Sequence, residues 1–427
     1  MSNLIPSGEA AIYLCKMGVW RKHSKDEIHS RVFQALDKNV DYFSQNIMGV
    51  PASHLDQEVF NHDAPFLKEA PFLSTLLKNP NHIGCHTLAE GEPFFAGTHE
   101  IEREAIRICA EDILHGEENS CDGYIAAGGT EANIQAVWIF RNYFQTQGIQ
   151  PNEVSIICSQ DTHYSVEKAA NLLNINLIRV SVDHPNREWD LTDLEHKLES
   201  ARNNGTKALV VILNMMTTMF GSVDHPEPIL PLIRKSGMEY RVHIDGAYGG
   251  FYYPFTAEDR QLSFENEEVT SITLDAHKMA QAPYGTGMLL IRKGWMHHTQ
   301  NGDAKYVKGD DFTLSGSRSG ANAIAVWMIL TAHGPYSWKE KTFILQKRTD
   351  WLCDQLGQLG IEYFRNPASN IITLNSKFVS AEVADEFGLV PDDHQHPKWY
   401  KIVIMEHVTI EKVKELLVHL EPVKDQN

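Results

Sequence analysis

Basic side chains are scarce in this sequence. Lys and Arg number 38 against 56 Asp and Glu, a net charge of −18 over 427 residues. Nucleic acid and anionic membranes are bound by basic patches, so this balance argues against both as partners. It leaves room for a local basic pocket around a small phosphate. Cysteine is sparse too. Cys15, Cys85, Cys109, Cys121, Cys158 and Cys353 are scattered with no C-x-x-C pair. That pattern reads as free thiols in a reducing cytoplasm rather than a disulfide framework or a zinc site. No apolar run approaches the roughly 20 residues of a membrane span. The start, "MSNLIPSGEAAIYLCK", lacks a basic segment followed by a sustained apolar core, so no signal peptide is expected. Repeats and low-complexity segments are also lacking. "DDHQH" (Asp392–His396) and "WMHHTQ" (with His297 and His298) match no recognised ligand spacing, so no functional metal is expected.

What is present is the make-up of an ordinary globular protein, 42% hydrophobic and 22% charged. The length calls for a large domain with a smaller one attached. Residues 1–50 read as an N-terminal arm. In it, Ser24 is a helix N-cap candidate, and Ile28, Val32, Phe33, Leu36, Val40 and Phe43 follow at helical spacing. Over 51–330, short β-branched runs ("VSIIC", "LIRVSV", "ALVVIL", "RVHID", "TSITL", "GMLLIRK") alternate with helical stretches. That alternation predicts an α/β domain with a mainly parallel sheet flanked by helices. Over 331–427, a helical stretch at 337–359 precedes "NIITL", "YKIVIM" and the helix "TIEKVKELLVHL", which predicts a small α+β C-terminal domain.

Four stretches carry chemistry. "YIAAGGTEANIQAVWIF" is an apolar run, two glycines and a helix start, with Thr130 as the expected N-cap and Asn133 at the capping-box position. Gly128 and Gly129 let the backbone approach a ligand, and the first N–H groups of a helix suit a phosphate. The spacing fits neither the dinucleotide fingerprint nor a Walker loop. "RVHIDGAYGG" puts Asp245 at a strand end, where sheets of this kind bind ligands. A carboxylate there suits the protonated nitrogen of a flat heterocycle, with Ala247 leaving space for the ring; alone, such an Asp is more often a turn residue. "SQDTHYSVEKAA" places His163 after another strand, where an imidazole can stack on a planar group or simply cap a helix. "TLDAHKMAQAPYGTG" puts His277 and Lys278 at the end of a buried strand, 33 residues after Asp245, the spacing of one βα unit. A phosphate cradle, a ring-nitrogen carboxylate, a stacking His and a strand-end Lys together suit pyridoxal phosphate. In that reading the Lys forms the Schiff base and the Asp keeps the ring protonated as an electron sink.

The motifs "GGTEANIQA", "THYSVEKAA", "TTMFGSVD", "HIDGAYGG", "DAHKMAQAPYGTG", "LSGSRSGA" and "YKIVIMEHVT" run in order from about residue 90 to 410. Together they resemble the group II pyridoxal-phosphate-dependent amino-acid decarboxylases, with the nearest look to the short tyrosine/aspartate type and to bacterial tyrosine decarboxylases. The resemblance implies a fold-type I homodimer with shared active sites that converts an L-amino acid to its amine and CO2. It implies that Lys278 is the Schiff-base lysine, that His277 contacts the phosphate or a carboxylate, and that Asp245 pairs the ring nitrogen. Ala247 would lie beneath the ring and His163 on its other face, near the substrate carboxylate. Gly129 and Thr130 would bind the phosphate, Ser317 would reach the phosphate of the neighbouring subunit, and Asn214 and Thr218 would line the cofactor. Tyr306 sits where relatives carry a loop tyrosine, a proton donor there or a plain surface residue.

The chain departs from the family at Lys401, where several relatives have an Arg that holds the substrate carboxylate. Lys keeps the charge without the bidentate fork, so Lys401, Arg318 or a different substrate resolves the difference. Phe94 and His99, in "PFFAGTHEIERE", either line the substrate pocket or pack a helix start. The rival activities are a carbon–carbon lyase or a desulfurase on the same fold, and a catalytically silent homologue. The lean in substrate is to aromatic or acidic amino acids, by analogy alone.

Overall fold

The computed structural model describes residues 20–39, 71–83, 91–300, 310–406 and 408–420. The β-branched runs become β1 (Cys121–Ala126), β2 (Val154–Ser159), β3 (Asn176–Val180), β4 (Ala208–Asn214), β5 (Glu239–Asp245), β6 (Val269–Asp275) and β7 (Gly287–Arg292). They form one seven-stranded sheet in the order β1-β7-β6-β5-β4-β2-β3. The pairs β2/β3, β2/β4, β4/β5 and β5/β6 are parallel. The β7 strand runs antiparallel between β6 and β1.

All seven residues of β4, "ALVVILN", are buried, as expected of a parallel strand covered on both faces. Successive side chains serve two different cores because strand side chains alternate. Val210 and Ile212 pack with Val137 and Phe140 of α3 (Gly129–Thr146). Leu209, Val211 and Leu213 join the opposite cluster, with Ile229 and Ile233 of α6 (Pro226–Lys235). Removing each such side chain from water contributes about 1.5–3 kcal/mol. The remaining helices around the sheet include α1 (Lys25–Asp37), α2 (Ala96–Arg107), α4 (Ser165–Leu173) and α5 (Leu191–Asn203).

The N-terminal helix begins as expected. Ser24 caps α1, and Glu27 completes a capping box. Ile28, Val32 and Leu36 are buried, while Val40 and Phe43 lie outside the described residues. The helix expected at 337–359 is part of a longer one, α7 (Gly320–Gln358). It is broken at Gly334 (φ 63°, ψ 177°), just before Pro335, whose ring cannot continue a regular helix. Beyond it, Tyr363–Phe364, Ile371–Asn375, Val390–Pro391 and Trp399–Val403 form a small antiparallel sheet, and α8 (Ile410–His419) follows with Thr409 as its cap.

One expectation at the glycine turn is corrected. Thr130 is not the N-cap of α3. The helix starts at Gly129, with Gly128 as cap and no side-chain capping bond. The Gly129 N–H is satisfied instead from across the sheet, by Asp275 Oδ2 at 3.2 Å.

Candidate active site

The parallel strands end together, and their last residues meet. Asn214 ends β4, Asp245 ends β5 and Asp275 ends β6, with Asn214 and Asp245 in direct register. The N-terminus of α3 and the turn after β2 close over them. The result is a cavity of about 580 Å³ lined by Gly129, Thr130, His163, Asn214, Thr218, Asp245, Ala247, His277 and Lys278 among others. Nine of the residues singled out in the sequence therefore converge on one space.

Lys278 is not the end of the strand. β6 stops at Asp275, and Lys278 lies in the following turn, its N–H returning to the Asp275 carbonyl at 3.2 Å. The ammonium is 3.7 Å from Asp275 Oδ2. His277 Nδ1 is 2.8 Å from Asp275 Oδ1, an electrostatic contact not aligned as a hydrogen bond, so both atoms lack a hydrogen-bond partner. Burial pushes the Asp275 carboxyl up, against the pull of Lys278 and His277. Burial also pushes the His277 imidazole down.

Asp245 is held at both oxygens. Oδ2 accepts from Asn133 Nδ2 at 2.9 Å and Oδ1 from the Ala247 N–H at 3.2 Å. His163 lines the cavity with Nδ1 tied to Ser165, whose N–H donates to it at 3.2 Å and whose Oγ lies 2.9 Å away. Burial lowers the His163 pKa, while the Asp245 charge opposes the shift. Asn214 Nδ2 donates to Asp224 Oδ2 at 2.7 Å and to Thr162 Oγ1 at 2.9 Å, which fixes the floor between β2 and β4.

Other expected residues stand apart. Arg318 is buried in an ion pair with Glu102 and bonds the Ile125 carbonyl at 3.2 Å, so its guanidinium is committed outside the cavity. Ser317 is exposed on a short strand paired with Asn81–Ile83. Phe94 packs against Phe95, and His99 is buried beneath Gly91; neither is among the residues lining the cavity. Lys401 is closer: its ammonium donates to the Thr218 carbonyl at 3.0 Å. Burial, and then the charge of Lys278, lower its pKa. Tyr306 lies outside the described residues. The sequence reading missed Asp275, although it stands three residues before Lys278, and it missed Asn133, Ser165 and Tyr248.

The residues present fit pyridoxal phosphate. The N-terminus of α3 borders the cavity and favours an anion. A Cβ on Gly129 would come within 3.1 Å of Ala247 Cβ, so the glycine keeps this approach open. A fixed carboxylate, a free-standing imidazole nitrogen and a primary amine complete the donor set.

The match to known proteins agrees. The model of the pyridoxal-dependent decarboxylase conserved domain matches residues 103–343, more than half of the chain. The chain belongs to the pyridoxal-dependent decarboxylases. It is an enzyme that uses pyridoxal 5′-phosphate to remove CO2 from an amino acid. This decarboxylase is 45% identical to the tryptophan decarboxylase of Clostridium sporogenes over 95% of this chain and 97% of that one. It is 30% identical to the probable L-tyrosine/L-aspartate decarboxylase of Methanosarcina barkeri over 77% and 85%. Among solved structures it resembles L-methionine decarboxylase of Streptomyces sp. 590, with a TM-score of 0.67 and 20% identity over 86% and 98% of the two chains. It also resembles a sphingosine-1-phosphate lyase of Burkholderia pseudomallei, with a TM-score of 0.61 and 17% identity over 98% and 91%. At these identities the two structures speak for the fold alone.

Proposed function

We propose that this decarboxylase acts on an aromatic L-amino acid, tryptophan first, and that Lys278 is its cofactor-binding lysine. The observation that carries the substrate is the 45% identity, over nearly the whole of both chains, to a tryptophan decarboxylase. The cavity supports it. Ile134, Met216, Tyr248 and Leu314 give it an apolar side. Among its described lining residues there is no arginine to grip an acidic side chain.

The residues would divide the work as follows. Lys278 would hold the cofactor aldehyde, Asp245 the ring nitrogen, and Gly129, Thr130 and His277 the phosphate. Ala247 and His163 would take the two ring faces, and Asn214 and Thr218 the rim. When bound, pyridoxal phosphate supplies the sink for the electrons of the broken Cα–carboxylate bond. Asp245, held at both oxygens, would pair the ring nitrogen. Lys401, held on Thr218, orients the substrate carboxylate and so selects which Cα bond breaks. The Cα proton would come from Tyr306.

The enzyme would work as a homodimer with shared sites. Tyr284 (88% exposed), Tyr164 (57%) and Leu314 (43%) are uncovered apolar side chains around one chain's cavity, as an unpaired interface would leave them. Cys109, Cys121, Cys158 and Cys353 are free and buried, which supports a reducing, cytoplasmic setting.

The test is a substrate panel. The cofactor-loaded protein is given L-tryptophan, L-tyrosine, L-phenylalanine, L-aspartate and L-glutamate in turn, and CO2 and amine are both measured. The expected result is matched CO2 and tryptamine, with kcat/KM highest for tryptophan. Preference for either acidic amino acid would overturn the substrate reading.

A further inference from the structure

Asn133 sits in the first turns of α3 with its side-chain amide fully engaged. Nδ2 is 2.9 Å from Asp245 Oδ2 and 2.9 Å from Ser165 Oγ. Oδ1 is 2.9 Å from His243 Nε2. The four residues come from three elements: Asn133 from α3, Ser165 from the start of α4, and His243 and Asp245 from β5. Which way protons lie in this network follows by elimination.

An ionised carboxylate only accepts hydrogen bonds, so the NH2 of Asn133 must face Asp245. Its oxygen therefore faces His243, which must donate from Nε2. The bare Nδ1 of His243 then accepts from the Ser271 hydroxyl at 2.7 Å. The second amide hydrogen of Asn133 goes to Ser165 Oγ. The Ser165 hydrogen is thereby turned toward His163 Nδ1, 2.9 Å away. A separate contact gives the same answer. The backbone N–H of Ser165, which cannot reverse, donates to that same Nδ1 at 3.2 Å. His163 Nδ1 is an acceptor on both counts, and its proton is left on Nε2, on the cavity side.

We propose that Asn133 is a positioning residue that couples the two sides of the cofactor site. One amide hydrogen anchors the Asp245 carboxylate. The other, relayed through Ser165, fixes His163 as a neutral imidazole with its proton on Nε2. His163 thus meets the substrate as a hydrogen-bond donor rather than as a base. This rests on the pyridoxal-phosphate site proposed above; Asn133 lines that cavity, and the network adds Ser165 and His243, which are not among the lining residues.

The experiment is nitrogen-15 NMR of the cofactor-loaded protein labelled at histidine, read without substrate; His163→Gln identifies the His163 signals. The wild-type protein should show His163 with a bare Nδ1 and a protonated Nε2. Ser165→Ala should move the two His163 shifts toward each other and leave cofactor affinity near wild type. Asn133→Ala should do the same to His163 and also weaken cofactor binding roughly tenfold or more, as loss of a hydrogen bond to a charged group does. A wild-type His163 protonated on Nδ1, or an even mixture, would overturn the proposal. So would a Ser165→Ala protein with unchanged His163 shifts, since the backbone N–H alone would then set the tautomer. If Asn133→Ala fails to fold, the wild-type and Ser165→Ala spectra still decide. No substrate enters the measurement, so a failure of the tryptophan reading leaves this result intact.

Discussion

Behind the Asp245 carboxylate, two buried titrating groups sit in opposite senses. His243 is fully buried, and burial lowers its pKa to about 4 from the ordinary 6.5. Asp224, buried against Asn214, is raised by burial to about 7 from 3.8. A histidine with a depressed folded pKa contributes stability above about 6.5 that is lost as pH falls toward about 4. A carboxyl with a raised folded pKa contributes stability below about 3.8 that is lost as pH rises through about 7. The two slopes oppose each other across the acid range, so the wild-type stability profile is flatter than either alone. Single variants should unmask them. Denaturant midpoints measured across this range should fall with rising pH more steeply in His243→Gln than in wild type. In Asp224→Asn they should fall more steeply toward acid. Parallel profiles for wild type and both variants would contradict this account.

Elements meet closely where β7 begins. Gly287 pairs with Ala126 at the end of β1 and with Asp275 at the end of β6. A Cβ there would overlap the backbone of Gly128, which caps α3. The absent side chain is what lets the Gly128–Gly129 turn settle between the two strand ends. Gly287→Ala should cost about 1–3 kcal/mol as overpacking against backbone. It should also speed cofactor loss, read as a lower melting temperature and faster decay of the cofactor's visible absorbance. This contact was present in the sequence only as "GTG" in a turn. The strands themselves were legible because β-branched runs alternate with helical spacing, and Asp245 and Lys278 were legible because they follow such runs. Asn133 was not, because its partners Ser165, His243 and Asp245 are 32, 110 and 112 residues away. Arg318 misled for the same reason: nothing local announces that Glu102, 216 residues distant, neutralises it. The helix start was misplaced by two residues, with Gly128 and not Thr130 as the cap, because Asp275, rather than a capping side chain, takes the Gly129 N–H.

Across the whole molecule, the two sheets are tied beside the cavity. Tyr248, a cavity residue after β5, donates its hydroxyl to Asn370 Oδ1 at 3.1 Å, and Asn370 Nδ2 bonds the Ile404 carbonyl at 2.9 Å. The small sheet thereby carries Lys401 into place over Thr218. The other side of the cavity has the exposed aromatic residues that the homodimer reading would cover. If the proposed homodimer forms, the 48.3 kDa chain should sediment at twice its mass, and it should remain a dimer in high salt because Tyr284, Tyr164 and Leu314 would make its contact apolar. A monomer that decarboxylates at full rate would contradict shared sites. Every role assigned here turns on which lysine the cofactor takes. The most direct measurement is reduction of the loaded protein with borohydride, followed by digestion and peptide mass analysis. The account predicts the added cofactor mass on the peptide that carries Lys278. The mass on another lysine, Lys401 included, would contradict it.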